Sequence, residues 1–294
     1  MKTHNIVQDA IEDILARNDD DDWIEDALHL PIELQYRKLL ETIRFDYTEI
    51  TKHHWQSLIN SNKTPPAAKM VRLAQELADL SNALPTEHTN AIFVRVDRKR
   101  VDVMKAMLSG AIGTPYAHGL FEYDIFFENT YPVGPPKMNL TTTGNGQIRF
   151  NPNLYSCGKV CLSLLGTWRG HNTENWDQKI STTLQVLLST QAIVMSDEVY
   201  FNEPGFEHEA GTPEGERKNE GYMNIVRYGN VKWAMVGHLK APPTGFETVI
   251  KRHFYIKKAE ILHDCYAWID LSKKNEASYK GLIGDHNRTL ANMF

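Results

Sequence analysis

Cysteine is scarce in this sequence, and long apolar runs are missing from it. The 294 residues include three cysteines, an odd number too small for a disulfide framework, so we expect a reducing compartment: the cytoplasm, with the nucleus as a further option. No run approaches the roughly 18 apolar residues of a membrane helix, and the first residues lack the apolar core of a secretory signal. No basic face interleaved with aromatic residues stands out. These absences predict a protein with no membrane partner and no nucleic-acid partner.

Acidic residues are concentrated at the amino terminus. Residues 1–30 carry nine acidic and two basic side chains, whereas the net charge of the whole chain is −5. The run Asp19 to Asp22 is typical of a solvated, partly disordered segment, and an interaction arm for a basic partner is the alternative. Residues 1–65 are therefore predicted to be an acidic extension, partly disordered and then helical. A hydrophobic content of 41% supplies an ample core for the remainder.

Helical and strand-like patterns follow one another in a definite order along the rest of the chain. Pro65 and Pro66 precede apolar residues spaced three and four apart, and Pro85 ends this pattern, which predicts a helix. Further helical patterns occupy about 180–195, 220–238 and 244–270. Short extended segments occupy about 92–96, 101–108, 118–127, 136–143 and 147–150. Strands in succession predict an antiparallel meander, and the helices on either side of it predict an α+β layer pair.

Three local patterns add detail. In the segment near 118–127, apolar residues alternate with Glu122 and Asp124, which predicts a strand with one buried face. Gly144-Asn145-Gly146 predicts a tight turn between two strands. The stretch from Gly205 to Gly221, rich in Gly, Glu and Pro, predicts a surface loop.

One stretch, Tyr131 to Trp168, carries most of the chemical information. Cys161 lies in the segment Gly-Lys-Val-Cys-Leu-Ser, the tripeptide Asn151-Pro152-Asn153 ends eight residues before it, and Trp168 follows seven residues after it. A cysteine alone is most often a small buried hydrophobe, and Asn-Pro-Asn alone is usually a turn. Their joint order, with Tyr-Pro-x-x-Pro-Pro upstream, is more specific. Because Pro152 restricts the backbone, we expect Asn153 on a rigid loop.

This order of motifs resembles the active-site region of ubiquitin-conjugating enzymes. Three further segments look like the conjugating domain of the apollon (BRUCE) branch of giant inhibitor-of-apoptosis enzymes: Gly113 to Tyr116, Tyr200 to Glu207 and Val231 to Met235. The segment Arg44 to Glu49 resembles what precedes that domain in the branch, and the similarity runs from about Tyr36 to Trp268. The resemblance implies a UBC-like α+β fold, in which a four-stranded antiparallel meander packs with about four helices and follows a helical N-terminal extension. It implies a conjugating core over residues 66–270, with C-terminal helices, and a tail over 271–294.

The resemblance also implies an activity. Ubiquitin would pass from the ubiquitin-activating enzyme to the Cys161 thiol as a thioester, and then to a lysine of a protein substrate, with or without a separate ubiquitin ligase. Asn153 would stabilise the oxyanion that forms when the amine attacks, and no metal or organic cofactor is implied. For this role we expect the Cys161 sulfur to be accessible and to lie beside Asn153. The alternatives are a catalytically inactive ubiquitin-binding variant and a carrier of another ubiquitin-like modifier.

Other positions carry separate expectations from the resemblance. Lys69 and Arg72 would be exposed basic residues of the first helix, where the family docks the activating enzyme, or simply part of a solvated helix face. Asn151 stands where most of the family has histidine, a change that the apollon-like branch shares. Val133 replaces a loop phenylalanine, and residues 169–171 replace the Ser-Pro-Ala that many members offer to RING ligases, so an ordinary RING partnership is not implied.

The two remaining cysteines have structural interpretations. Cys157 is expected to be an exposed loop thiol. A reversible disulfide with Cys161 and a metal site with Cys161 and His171 are less favoured alternatives, because structural zinc sites need four ligands. Cys265 shares an apolar helix face with Ile250 and Phe254, so we expect it to pack in the core.

Overall fold

A sheet of six strands organises the chain. The computed structural model describes residues 4–16, 29–62, 64–168 and 174–279. The strands are β1 Phe45–Thr48, β2 Thr86–Glu87, β3 Asn90–Asp97, β4 Val103–Ser109, β5 Leu120–Phe126 and β6 Lys137–Leu140. From β3 to β6, each strand pairs antiparallel with the next one. This arrangement confirms the predicted four-stranded meander and the α+β class.

The strand β1 is an addition that the sequence does not predict. It pairs parallel with β3, with Phe45 opposite Val94, while the short β2 folds back on β3 in antiparallel orientation. Part of the predicted N-terminal extension therefore belongs to the sheet. The predicted boundary between extension and core at residue 65 stays a prediction.

Eight helices of the described residues surround the sheet. They are α1 His4–Leu15, α2 Ile32–Leu40, α3 Gln56–Ser61, α4 Ala67–Ala83, α5 Thr183–Ser189, α6 Pro213–Gly229, α7 Glu247–Ile256 and α8 Lys258–Tyr279. A π-helical turn, Thr190–Val194, continues α5, and a π-helical segment, Asn230–Gly237, continues α6 into His238–Lys240. Helices α1 to α3 confirm the predicted helical extension.

Two helix limits differ from the prediction. The pattern over 244–270 forms two helices, α7 and α8, because the chain breaks helical geometry at Lys257. The predicted loop over 205–221 is wrong in its second half, where α6 already begins. The Thr212 side chain caps this helix by accepting a hydrogen bond from the N–H of Gly215 at 3.0 Å. A capping threonine followed by Pro213 at the first helical position is a helix start signal.

The main core lies between one face of the sheet and helices α4, α5 and α6. Phe121, Tyr123 and Ile125 of β5 belong to it, as do Leu73 of α4 and Val226 of α6. All five side chains are at most 1% exposed. Burial of an apolar side chain of this size contributes roughly 1.5–3 kcal/mol.

The opposite face of the sheet is also covered, so the predicted one-sided strand is wrong. All seven residues of β5 are buried. A second apolar cluster joins Phe93 of β3 and Met107 of β4 to helices α1, α2, α7 and α8. A third, smaller cluster packs Ile59 of α3 against Phe126.

The acidic residues of β5 are internally paired rather than solvated. The Lys105 ammonium lies 2.8 Å from the Glu122 carboxylate and 2.5 Å from the Asp124 carboxylate. The backbone N–H of His54, in the segment before α3, donates to Asp124 at 2.5 Å. The alternation of acidic and apolar residues therefore marks an ion-pair cluster beneath the N-terminal segment.

The turn at Gly144 to Gly146 forms as predicted, but it does not join two strands. All three of its residues have positive φ angles, between 57° and 85°. A Cβ atom at position 144 would lie 2.4 Å from the Trp233 ring, so a residue with a side chain would clash there. Residues 147–150 form no strand, and Ile148 and Phe150 of this segment pack in the main core.

Lys69 and Arg72 do not form an exposed basic surface on α4, so both interpretations of these residues are wrong. Lys69 is 0% exposed and pairs with Asp102 at 2.6 Å. Arg72 donates to Glu76 at 2.6 Å and to two backbone carbonyl oxygens. The physical reason is helical spacing, because Lys69 precedes the buried Leu73 by four residues and shares its face.

Some expectations lie outside the described residues. They concern the acidic run Asp19 to Asp22 and residues 280–294, the larger part of the predicted tail. Among the residues that the structure does describe, no helix is long and apolar enough to cross a membrane.

Candidate active site

Cys161 lies on a short hairpin that the sequence does not predict. Leu154 and Val160 form an antiparallel bridge, and the N–H of Cys161 donates to the carbonyl oxygen of Asn153 at 2.9 Å. On the other side of that bridge, the N–H of Tyr155 donates to the carbonyl oxygen of Lys159 at 3.0 Å. Asn153 and Cys161 are therefore directly opposite each other.

The turn of this hairpin lies against β6. The N–H of Leu140 donates to the carbonyl oxygen of Gly158 at 2.8 Å. Gly158 has a φ of 88°, and a Cβ atom there would lie 2.4 Å from the Leu140 carbonyl oxygen. Glycine is thus required both for the turn and for its close approach to the sheet.

The Cys161 side chain points away from the main core. Val160 and Leu162 belong to that core, and side chains alternate along an extended chain, so Cys161 faces the outer side. Nevertheless, Cys161 is only 3% exposed, and the expectation of an openly accessible sulfur is wrong. Its chain neighbours Cys157 and Lys159 are exposed. The thiol is therefore buried although it faces away from the main core.

Burial also determines how tightly the thiol holds its proton. Burial raises the pKa of Cys161 above the ordinary value, and the nearby Cys157 acts in the same direction. The charge of Lys159, a hydrogen-bonding approach by Tyr155 and the charge of Arg149 act in the opposite direction and only partly offset it. Cys161 is therefore mainly a neutral thiol at neutral pH, and its thiolate depends on these three side chains.

Asn151 fixes the chain that carries Asn153. The Asn151 amide nitrogen donates to the carbonyl oxygen of Val194 at 2.8 Å and to the Tyr116 hydroxyl at 3.2 Å. Its Oδ1 accepts a hydrogen bond from the N–H of Asn153 at 2.8 Å. Asn151 is completely buried. The residue that stands in place of histidine thus ties the Asn-Pro-Asn turn to the π-helical turn that continues α5.

Asn153 lies beside Cys161, as expected, but its side chain is less restrained than its backbone. Its Oδ1 is buried and has no hydrogen-bond partner among the described residues. Buried polar atoms without partners are uncommon in folded proteins, and an amide oxygen can only accept, so Asn153 retains acceptor capacity at this atom for a bound group. Its role in the chemistry stays a prediction.

Tyr155, Arg149 and Lys159 are site residues that the sequence reasoning did not single out. The centre of the Tyr155 ring lies 4.5 Å from the Arg149 guanidinium and 5.5 Å from the Lys159 ammonium. The signal that could have found Tyr155 and Lys159 is alternation about the turn. Asn153 and Tyr155 flank the buried Leu154, while Lys159 and Cys161 flank the buried Val160, so these four residues share the outer face.

A groove of about 590 Å³ runs beside the hairpin. Its walls include His54 and Trp55 from the N-terminal segment, Lys137 of β6, and Cys157 and Lys159 of the hairpin. The Lys137 ammonium lies 5.3 Å from the centre of the Trp55 ring. The N-terminal segment and the active-site hairpin therefore form two sides of one concave surface.

The other cysteines and loop positions have mixed outcomes. Cys157 is an exposed free thiol, as predicted, and its disulfide with Cys161 stays a prediction. Cys265 is 5% exposed in α8, which confirms that it packs in the core. Val133 is 72% exposed. Residues 169–171, including His171 of the metal alternative, lie outside the described residues, and within the described ranges no group of His, Cys, Asp and Glu could hold a metal ion.

Comparison with known proteins identifies relatives over most of the chain. A family model described as ubiquitin-conjugating enzyme matches residues 72–228. The human "Dual E2 ubiquitin-conjugating enzyme/E3 ubiquitin-protein ligase BIRC6" is 41% identical over 251 residues, which are 81% of this chain and 5% of that protein. The "Probable ubiquitin-conjugating enzyme protein 17" of Caenorhabditis elegans is 46% identical over 199 residues, 68% of this chain and 27% of that protein.

A plant relative is similar to a comparable extent. The "Probable ubiquitin-conjugating enzyme E2 26" of Arabidopsis thaliana is 41% identical over 226 residues, 76% of this chain and 40% of that protein. The chain therefore spans less than half the length of each of these three relatives.

Proposed function

The chain belongs to the ubiquitin-conjugating enzyme family, as its motifs predict, and from this premise we propose that Cys161 accepts ubiquitin as a thioester and delivers it to a lysine amine. The ubiquitin-activating enzyme would supply the thioester, and a protein substrate would receive the ubiquitin. The observation that supports this proposal most directly is the hairpin register. In this register the backbone N–H of Cys161 donates a hydrogen bond to the carbonyl oxygen of Asn153 at 2.9 Å.

The charging step exchanges one thioester for another. The Cys161 thiol loses its proton to solvent, and its sulfur attacks the thioester carbonyl carbon that the activating enzyme carries. A carbon–sulfur bond to Cys161 forms, the bond to the donor sulfur breaks, and the donor leaves as a thiolate that takes up a proton. Because the broken and formed bonds are of the same type, the exchange is nearly balanced in energy, which suits a carrier.

The discharge step converts the thioester into an amide. The lysine nitrogen attacks the carbonyl carbon, the carbon–sulfur bond breaks, and the proton lost by the amine balances the one that Cys161 regains. Negative charge develops on the carbonyl oxygen during this attack, and a side-chain donor at the site would stabilise it. We assign this role to the Asn153 amide, because Asn153 is opposite Cys161 and its anchor, Asn151, is held by three hydrogen bonds.

Two other functions compete with this one. A catalytically inactive ubiquitin-binding protein would not need a thiol opposite Asn153, so the hairpin favours an enzyme. A carrier of another ubiquitin-like modifier would use the same hairpin. The name of the human relative describes a combined conjugating enzyme and ligase, which favours ubiquitin as the modifier and action without a separate ligase.

The test is a charging assay with purified ubiquitin-activating enzyme, ATP and ubiquitin. We expect one adduct that disappears on treatment with a reducing agent and that mass spectrometry locates on Cys161. Cys161→Ser should instead give an adduct that survives reduction, because an oxygen ester resists thiols. Cys157→Ser is the matched control, and it should charge as the native protein does because Cys157 lies at the turn and not opposite Asn153.

Absence of any adduct with several activating enzymes, from protein whose circular dichroism is intact, would favour the ubiquitin-binding alternative. A panel of ubiquitin-like modifiers in the same assay tests whether the protein carries a modifier other than ubiquitin. Charging with another modifier but not with ubiquitin would replace ubiquitin in the proposal and retain Cys161.

A further inference from the structure

The peptide unit between Pro152 and Asn153 is held by side chains at both of its polar ends. Arg149 donates from Nη2 to the Pro152 carbonyl oxygen at 2.6 Å, and the N–H of Asn153 donates to Asn151 Oδ1 at 2.8 Å. Because a peptide unit is planar, these two hydrogen bonds fix the rotation of its plane. The following peptide unit is held as well, since the Asn153 carbonyl oxygen accepts from the N–H of Cys161 at 2.9 Å.

The direction of the Asn153 side chain depends on this backbone. Its Oδ1 has no hydrogen-bond partner among the described residues, so no contact at that atom sets the orientation of the amide. Rotation of the preceding peptide plane would change the φ angle of Asn153 and with it the direction in which the Cβ atom leaves the turn. The groups that hold this plane therefore also determine where the Asn153 amide points.

Arg149 is itself fixed by three other parts of the chain. Its guanidinium lies 4.5 Å from the centre of the Tyr155 ring on the hairpin, and positive charge is attracted to an aromatic face. The same Nη2 lies 3.1 Å from the Glu203 carboxylate, in the segment Tyr200 to Glu207. The Arg149 carbonyl oxygen accepts a hydrogen bond from the Tyr222 hydroxyl of α6 at 3.3 Å. One guanidinium group thus joins the Asn-Pro-Asn turn to the hairpin and to this segment.

We propose that Arg149 is a positioning residue for the discharge step, which it assists by fixing the peptide unit that precedes Asn153 and so the direction of the Asn153 amide. The inference rests on the conjugating function proposed above. Arg149 makes no bond to the reacting atoms and exchanges no proton in this role. A contribution to stability does not account for its contacts, because the Arg149 and Glu203 side chains are 39% and 38% exposed and ion pairs in such positions contribute little.

A purely electrostatic role is the alternative, because the charge of Arg149 also favours the thiolate form of Cys161. The two roles differ in their dependence on Asn153. A misdirected amide slows the reaction only when the amide is present, whereas a lost charge acts whether or not Asn153 is there. We would therefore measure the discharge of the purified thioester to free lysine. Because this assay starts from the thioester, a change in the rate of charging does not affect it.

We expect Arg149→Met to slow discharge by roughly 10–100-fold, as for a reacting group displaced by up to about 1 Å. Arg149→Lys keeps the charge but loses the planar group that stacks on the Tyr155 ring, so it should be about as slow. Arg149→Met combined with Asn153→Ala should discharge within about twofold of Asn153→Ala alone. Arg37→Met is the matched control, because Arg37 pairs with Glu87 at a partly exposed position on the opposite face of the sheet. Its thioester should discharge as the native one does.

A normal rate in Arg149→Met overturns the proposal. Full recovery by lysine, or losses that multiply in the double variant, would assign the effect to charge and overturn it as well. Circular dichroism verifies the fold of each variant. If Arg149→Met does not fold, Arg149→Gln is measured in the same way and has to show the same losses.

Hydrogen exchange of the Asn153 backbone N–H, followed by NMR in the uncharged protein, is the second measurement. It requires neither ubiquitin nor the activating enzyme. We expect exchange to be about tenfold faster in Arg149→Met and unchanged in Arg37→Met, because a peptide unit held at one end opens more readily. Absence of any thioester on the native protein would reject the conjugating function and with it the role in discharge, whereas normal charging with unchanged exchange in Arg149→Met would reject the positioning role alone.

Discussion

The Lys69 ammonium and the Asp102 carboxylate form an ion pair at 2.6 Å, in which the two side chains are 0% and 2% exposed. Arg100 contacts the same carboxylate at 2.8 Å, and the Lys69 ammonium lies 5.5 Å from the centre of the Phe126 ring. The pair joins the first turn of α4 to the start of β4. An exposed lysine at this end of α4 would be available to a partner protein. Lys69 is instead buried and stabilises the contact between α4 and β4.

Lys69→Ala should therefore destabilise the protein instead of weakening a docking contact. Removing one member of a buried ion pair costs roughly 3–5 kcal/mol when the other charge is left without a partner. Because Arg100 still contacts the Asp102 carboxylate, the expected cost is that of a lost buried hydrogen bond to a charged group, roughly 1–3 kcal/mol. We expect the free energy of unfolding, measured by urea denaturation, to fall by that amount. The fraction that remains folded should be charged by the activating enzyme at a near-normal rate.

Lys99→Ala is the matched control for this variant. Lys99 and Glu49 also form an ion pair, at 2.7 Å, but their side chains are 76% and 63% exposed, so the free energy of unfolding should stay close to that of the native protein. If Lys69→Ala were as stable as Lys99→Ala but charged poorly, Lys69 would be a docking residue after all.

The contrast between α4 and β1 shows what the sequence can predict in this fold. Proline acts locally, because it fixes its own φ angle and lacks an N–H donor, so Pro66 and Pro85 predict the limits of α4 correctly. The pairing of Phe45 with Val94 depends on a contact across the whole of α4, and no local pattern encodes it. Lys69 is similar, because the partners of its buried ammonium, Asp102 and Asn129, are distant in the sequence.

For the candidate site, the sequence predicts which residues lie together but not how deeply they are buried. The placement of Asn153 beside Cys161 was predicted from the resemblance to the ubiquitin-conjugating family, whereas the hairpin that produces it was not predicted. The 3% exposure of Cys161 could not be predicted, because burial depends on tertiary packing that the local sequence does not encode. Tyr155 was within reach of sequence reasoning, since a glycine turn between two alternating segments predicts a hairpin.

Asn153→Ala should separate the two halves of the proposed reaction. Charging should be retained, because it depends on the Cys161 sulfur, whereas discharge to free lysine should slow by roughly 10²–10³-fold, as for the loss of an oxyanion donor. The measurement is the decay of the purified thioester after a lysine pulse. Asn153→Asp is the control that keeps the shape and removes the amide donor, and it should be equally slow. Normal discharge by both variants would exclude Asn153 from the oxyanion site.

Asn151→Ala should slow both the charging step and the discharge step. Its amide makes three buried hydrogen bonds, to Val194, Tyr116 and Asn153, and an unsatisfied buried group costs about 1–3 kcal/mol. We expect the free energy of unfolding to fall by about that much and both charging and discharge to slow, because the turn that carries Asn153 loosens. Loss of discharge alone, at unchanged stability, would instead make Asn151 part of the reacting site.

His253 should make the stability of the fold sensitive to acid. Its Nδ1 accepts a hydrogen bond from the Tyr36 hydroxyl at 2.7 Å, and its Nε2 lies 2.9 Å from the carbonyl oxygen of His118. A carbonyl oxygen can only accept, so Nε2 carries the proton and the ring is neutral. Burial, together with the charge of Lys257, holds the pKa of His253 well below its ordinary value.

The direction of the effect follows from proton uptake. Below about pH 6.5 the unfolded chain binds a proton at this residue and the folded chain does not, so the free energy of unfolding falls as the pH decreases, by up to about 1.4 kcal/mol per unit. Urea denaturation at pH 7.5 and 5.5 should show a smaller decrease for His253→Gln, since glutamine does not titrate. His208→Gln, at an exposed position, should match the native protein. If the His253→Gln and native curves were parallel, the neutral ring would not be the source of the acid sensitivity.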